Sequence, residues 1–585
     1  MSSVQPAGSP SAHSASAAQN SLARGSACLP CRRRKMRCDG VKPACGQCVS
    51  KRREEDCEYT SDTQGLTRTQ LLEENISLLE ARIRELENPS EASSVKLHTP
   101  QGTAPVPGLH GEVPQAVNIP DLLQAPLSPS YNVGSSTSFV TTSDLVQPEP
   151  TFQDIHSMVN DFIPYSSQVG FFLSVNRFVQ MAYLPALNRD PLEESLVSAV
   201  CLWGSHLSHT PAIRAYEATF LAKAVKEVSS ALFPAGPGSA QGRTILCVIQ
   251  AEVLLANYFF NSGRFLEGRY HCSAAASLAI TCRLDTLGGH GTGAGAGLGM
   301  QLVGGAYVGL SAADGGDAIA QGEKINAFWA VYVLDKCWSV ALGSPSAIAG
   351  QSSLGARIST PWPLSMQQYE QGQMVVYTGQ PVVSDFLSSR TLDRQGYLCP
   401  VALRAKAATL FAQATVLAAR YREGMPDKQL FLHEFSRLDN LITAFINTLP
   451  QVRRVTPGEA CDVLIACTVA RVAVIQLHIR FVREQERSRD SCVATANSIV
   501  ATLQNIDVGR VGFIDPIMAI LLSAVCQVFI GEIRTYNAMQ SLEDPYVASL
   551  TASLDRVLAL MSDFSAVCPL MAAQVAQVRD AQVAM

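Results

Sequence analysis

The chain has 585 residues, of which 47% are hydrophobic and only 16% charged, and its net charge is −5. Average soluble proteins carry about 25% charged residues, so a large part of this chain must be buried, which excludes a wholly disordered polypeptide. A mild acidic excess gives no general pull toward nucleic acid, so any such partner has to be sought in a local segment.

In chain order, residues 1–25 are low-complexity and are expected to be disordered. Their polar, Ala/Ser-rich sequence lacks the apolar core of a signal peptide. An intracellular chain keeps its thiols reduced, so clustered cysteines point to metal ligands before disulfides.

The next segment, 26–59, holds six of the 17 cysteines in the spacing Cys28-x2-Cys31-x6-Cys38-x6-Cys45-x2-Cys48-x8-Cys57. Two separate tetrahedral zinc sites would need eight ligands. Six suffice if two thiolates bridge both ions. A C-x2-C pair followed by a third cysteine, after six residues and then after eight, occurs twice, so the first cysteine of each half, Cys28 and Cys45, is the natural bridge. No histidine lies in the stretch to supply a seventh ligand, and no iron–sulfur spacing is present.

The stretch from Cys28 to Cys57 has nine basic residues (Arg32, Arg33, Arg34, Lys35, Arg37, Lys42, Lys51, Arg52, Arg53) against four acidic ones (Asp39, Glu54, Glu55, Asp56). It therefore carries +5 and the remainder of the chain −10. A compact basic module on an acidic chain is the electrostatic footprint of DNA binding. Six thiolates with two Zn²⁺ sum to −2, so these cations are needed to meet phosphate; contacts of that kind bring affinity and salt dependence more than specificity. The only apolar residues at hand are Leu29, Met36, Val41 and Val49, so metal binding is expected to be folding itself.

Residues Ala27 to Tyr59 resemble the fungal binuclear zinc-cluster family, the galactose-regulator type of transcription factor. Cys28-Leu29-Pro30-Cys31 through Cys38-Asp39, with Lys42-Pro43, lies on its motif. The resemblance implies two Zn²⁺ ions, one held by Cys28, Cys31, Cys38 and Cys45, the other by Cys28, Cys45, Cys48 and Cys57. It implies that Arg34 and Lys35 face the major groove of double-stranded DNA, with Arg32, Arg33, Arg37 and Lys42 as further contacts. Family members read CGG triplets as dimers. Arg34 departs from the lysine common there; an arginine can fork across guanine O6 and N7.

A connector, 60–65, leads into a helical pattern over 66–88 with Leu72, Ile76, Leu79, Ile83 and Leu86 at alternating steps of four and three. Isoleucine at a and leucine at d favour a parallel two-stranded coiled coil, so a homodimer is expected. Residues 89–150 are rich in Pro, Ser, Thr and Gly and read as a disordered linker, with short acidic-apolar patches suited to transcription machinery.

From 151 to 565 apolar segments recur at helical spacing: 191–208, 212–232, 243–259, 265–283, 323–342, 401–422, 428–448, 458–484, 489–505, 515–538 and 545–562. Alternating strand patterns are nearly absent, so the fold class is mostly all-α: a large helical domain joined to the small zinc module by the short coiled coil and linker. The run Pro516–Gly531 is short for a bilayer span and reads as a buried helix, with no membrane partner expected. A Gly-rich insertion, 288–316, reads as a surface loop, and 566–585 as a C-terminal tail.

Within this body, Glu323 to Pro345 resembles the signature helix of the fungal-specific transcription-factor domain. Gly268 to Leu284 resembles the helix before it, and Thr360-Pro361-Trp362-Pro363 the loop after it. The resemblance implies an all-helical regulatory domain, which admits a small-molecule effector. Ile325-Asn326 stands where basic residues are common. Asp335 and Lys336 read as a structural polar pair.

No enzyme is expected. Gly291 to Gly299 follows a helix, outside the strand-turn-helix frame of a dinucleotide loop, and His433-Glu434 has no second histidine in place. The scattered cysteines, Cys201, Cys247, Cys467 and Cys526 among them, sit in apolar helices as small core residues. The expected function is a nuclear, zinc-dependent, sequence-specific regulator of RNA polymerase II transcription. The alternative is an interaction scaffold whose zinc module does not select DNA sequence.

Overall fold

The computed structural model describes residues 27–51, 57 and 149–583, apart from 186–187, 232–241, 288–316, 349–357, 389–398, 423, 505–510 and 540–544. The chain falls into two compact units, residues 1–112 and 113–585. The coiled-coil residues Leu72, Ile76, Leu79, Ile83 and Leu86 lie outside the described residues, as do the Gly-rich insertion and nearly all of the linker.

Among its described residues the first unit has two five-residue helices, α1 (Leu29–Arg33) and α2 (Gly46–Ser50). The second opens on α3 (Phe152–Phe162) and α4 (Val175–Ala182), then α5 (Pro191–Leu207), α6 (Pro211–Arg214) and α7 (Glu217–Ala231). Next come α8 (Gly242–Asn261), α9 (Phe265–Thr281), α10 (Ala318–Ala341), and the short α11 (Met366–Glu370) and α12 (Val382–Leu387). The remainder is α13 (Pro400–Arg420), α14 (Lys428–Thr448), α15 (Pro457–His478), α16 (Glu486–Leu503), α17 (Ile517–Met539), α18 (Pro545–Phe564) and α19 (Pro569–Val583). No strand occurs among the described residues.

Local chemistry sets the helix ends. Thr151 and Asp154 close a capping box at α3, and Asp190 with Glu193 does the same at α5, where Pro191 fits the first turn. Ser174 caps α4 and Asp317 caps α10 through the Ile319 amide. Gly343, at φ +60°, stops α10.

The segment 566–585, expected as a tail, instead contains α19, whose Leu570, Met571, Val575 and Val578 are buried. Its apolar residues are diluted by Ala and Gln, which leaves weak periodicity; packing against α17 and α18 holds it.

One contiguous apolar core runs through the helical unit. Among the described residues three helices are long and apolar enough to cross a membrane, spanning Pro400–Arg420, Pro457–Phe481 and Ile517–Asn537. Between 67% and 83% of each apolar window is buried within the fold, so packing accounts for their composition. Cys201, Cys247, Cys467 and Cys526 are core residues, all 5% exposed or less.

The three segments that resemble the transcription-factor domain meet in space. Trp329 on α10 donates its indole N–H to the Pro361 carbonyl at 2.7 Å and stacks on Trp362, with ring centroids 4.3 Å apart. Thr360 donates to the Leu284 carbonyl and accepts from the Leu287 amide, tying the loop to the end of α9. Asp335 and Lys336 both grip the turn that follows α10. Asp335, fully buried, accepts from the amides of Ala347 (2.9 Å) and Ile348 (3.0 Å) and from Arg269 (3.2 Å). Lys336 donates to Ser346 and to the Ile348 carbonyl, and burial pushes its ammonium below the usual range. Their role is structural.

Candidate zinc centre

Cys28 and Cys45 occupy equivalent places. Each is the residue just before a five-residue helix, with extended backbone at φ −60° and −71°. Each helix then contributes a second cysteine, Cys31 from α1 and Cys48 from α2. A helix N-terminus favours a thiolate, because its free amides and dipole present positive charge there.

Sulfur fills the interior. Cys28, Cys31, Cys38, Cys45 and Cys48 are each 9% exposed or less, packed with Ala27 and Cys57. The apolar residues counted from sequence stay out of it: Val41 is 56% and Val49 45% exposed, and Leu29 and Met36 are only partly buried.

The Sγ atoms of Cys28, Cys31, Cys45 and Cys48 lie within 4.8 Å of one another. Cys28 lies 3.6 Å from Cys45 and 3.8 Å from both Cys48 and Cys38, and Cys31 lies 3.6 Å from Cys45. A tetrahedral zinc with Zn–S of about 2.3 Å has S···S edges of about 3.8 Å. The sulfurs thus stand at zinc-site spacing, and each of these close pairs includes Cys28 or Cys45. Cys57 is drawn in by the Cys45 amide, 3.2 Å from its sulfur.

Electrostatics separates the thiols. Burial pushes Cys28, Cys31 and Cys48 up to about 12. Burial raises Cys45 too, but hydrogen bonds from the Cys48 amide and from the thiols of Cys48, Cys28 and Cys31 override it and hold Cys45 at about 6. Metal uptake must therefore expel protons from Cys28, Cys31 and Cys48.

Sequence reasoning missed Asp39. Its carboxylate accepts from the Gly46 amide at 2.9 and 3.1 Å, tying the first half of the module to the start of α2. Gly46 permits this approach, since a Cβ there would lie 2.6 Å from Asp39 Oδ2. The available signal was an acid right after Cys38 and a glycine right after Cys45. Asp39→Ala is expected to weaken zinc retention about tenfold in competition with a chromophoric chelator, the usual loss when an outer-shell partner is removed.

The cations ring this core. Arg32, Arg33, Arg34, Lys35, Arg37 and Lys42 are all exposed. Lys35 ends α1 with φ +53°, and the Met36 amide donates back to the Cys31 carbonyl at 2.9 Å. The left-handed turn at Lys35 breaks the basic run, which resumes at the exposed Arg37.

Residues 26–66 match the family model for the fungal Zn(2)-Cys(6) binuclear cluster domain, and residues 171–354 match that for the fungal specific transcription factor domain. The chain carries both domains. It is a zinc-binding, DNA-binding transcription regulator, and its cluster domain takes two zinc ions. The cluster match runs past Tyr59 into residues outside the described set, and the transcription-factor match takes in α4 to α10. Both are transcription-factor families, not enzyme families. No curated protein and no solved structure matches the chain.

Proposed function

We propose that the chain is a nuclear regulator of RNA polymerase II transcription that reads CGG-type half-sites as a homodimer. In this reading Cys28 and Cys45 bridge the two ions, Cys31 and Cys38 complete one, and Cys48 and Cys57 complete the other. The seam Leu72, Ile76, Leu79, Ile83 and Leu86 pairs two copies, the segments 66–88 and 89–150 serve as dimerisation helix and linker, and the helical body receives an effector. Transcription machinery is the partner of the acidic-apolar patches.

The observation that carries this reading is the exposed basic run ending at Lys35, fixed on a sulfur core with zinc-site spacing. Arg34 and Lys35 supply base contacts, and Arg32, Arg33, Arg37 and Lys42 supply phosphate contacts. A left-handed residue other than glycine costs about 1 kcal/mol, so Lys35→Gly relaxes the backbone while removing the head group. Both Lys35→Gly and Lys35→Ala are expected to bind a duplex with two CGG triplets about ten- to a hundredfold more weakly, the usual worth of one base contact. Lys35→Gly should retain zinc as well as the parent does. Fluorescence anisotropy against the same duplex with scrambled triplets measures this. Undiminished binding by both variants, or no preference in the parent, would favour the scaffold reading.

A further inference from the structure

The central helix α10 is buried at every position from Gly322 to Ala341 except Ala330 and Val333. Packing does not explain the gap; a cavity of about 390 Å³ does. Asn326, Trp329, Ala330, Val333 and Cys337 line it at steps of three and four, so a single stripe of α10 faces the space. That volume lies in the range of small-molecule sites. Phe172, Val253 and Ile465 extend the apolar wall.

Two features specify the occupant. Asn326 is 3% exposed, yet its Oδ1 has no hydrogen-bond partner. A buried acceptor left unmade costs roughly 1–3 kcal/mol, a loss that a donor in the cavity recovers once the Asn326 amide turns its oxygen toward the space the residue lines. The second feature is charge. Arg404, the one cation on the wall among the described residues, is already held by Asp462 at 3.1 Å and by Asp515. Glu459 and Glu370 also line the space, giving four carboxylates against one guanidinium. Such a site repels anions and attracts cations, and Trp329 and Trp338, themselves stacked on Trp362 and Phe260, add apolar wall for the body of the occupant.

We propose that this cavity binds a small organic cation, an amine whose N–H meets Asn326 and whose apolar or aromatic body lies along α10. Asn326 belongs to the segment matched as a transcription-factor domain, while Arg404 and Asp462 lie on α13 and α15 after it and Asp515 just before α17. An occupant therefore touches both parts of the body and should stabilise it by mass action. The binding stands apart from the DNA reading; its use as a regulatory input rests on that reading.

The test uses the full zinc-loaded chain with three probes of one shape: phenylbutylamine, phenylbutanol and phenylbutyrate. The chain has 4 tryptophans, two of them on the cavity wall, so tryptophan emission reports occupancy. The amine is expected to give a saturable change and a raised melting temperature, the alcohol to bind about tenfold more weakly, and the carboxylate to bind not at all. Asn326→Leu should weaken the amine about tenfold while leaving the melting temperature unchanged or higher, since it removes an unpaired buried acceptor. Ala330→Phe should abolish binding by filling the space; if it fails to fold, Asn326→Leu decides. No saturable change with the amine, equal binding of the carboxylate, or undiminished binding by Asn326→Leu overturns the proposal. DNA preference, scored on the same preparation, is independent. Amine binding without DNA preference would sink the proposed function alone, and DNA preference without amine binding the cavity alone.

Discussion

Cys45→Ser is expected to abolish both zinc-cluster folding and DNA binding. Cys45 is fully buried, precedes α2, and lies 3.6 Å from both the Cys28 and the Cys31 sulfur. In the bridged arrangement its loss leaves each ion one thiolate short. The module has no hydrocarbon core to fall back on, since its buried residues are the cysteines themselves. Structural zinc supplies about 10–16 kcal/mol of apparent binding free energy in small domains, far more than a five-residue helix can. Zinc content by mass spectrometry under native conditions should fall from two ions per chain, and anisotropy should show no preference for CGG duplex. Cys57→Ser is expected to be milder, because Cys57 is only partly buried and would serve one ion in the bridged arrangement. A Cys45→Ser chain that kept two ions and bound DNA normally would contradict the bridge.

The second large effect is in the helical body. Asp335→Ala removes a fully buried carboxylate that holds Arg269 and the amides of Ala347 and Ile348. Breaking one side of a buried ion pair costs about 3–5 kcal/mol, mostly through the charge left behind. For a helical unit of roughly 400 residues this lowers the melting temperature by about 5 °C, given an unfolding entropy of about 2 cal/mol/K per residue. Asp335→Asn should lose less, because an amide oxygen still accepts from the turn. Calorimetry of the full chain measures both. A shift below about 1 °C for Asp335→Ala would mean that the turn after α10 is not held as described. The zinc module should retain its ions in this variant.

Much of this was legible in the sequence because two strong patterns carry it. Cysteine spacing states the ligand count before any geometry is known, and each close sulfur pair in the module includes Cys28 or Cys45. Helical periodicity located the long helices to within a few residues, since apolar residues at steps of three and four have few other uses.

What was missed had other causes. The helix α3 is short and borders a low-complexity stretch, so its start rests on the Thr151–Asp154 capping box alone. The first turns of α10 were hidden by the nearby glycines; Gly322 is there because the Tyr369 ring packs so close that a Cβ would lie 2.3 Å from it. Asp39 was counted as one acid among cations, when its use depends on a contact seven residues away. The cavity beside α10 could not be read at all. Ala330 and Val333 continue the apolar pattern, and only the neighbouring helices decide that nothing covers them.

The most direct measurement is selection from random-sequence DNA by the full zinc-loaded chain, repeated after chelation. The expected result is enrichment of a short GC-rich half-site containing CGG, in pairs at fixed spacing, lost with the metal and in Lys35→Ala. Recovery of no sequence above background from the zinc-loaded chain would contradict the account.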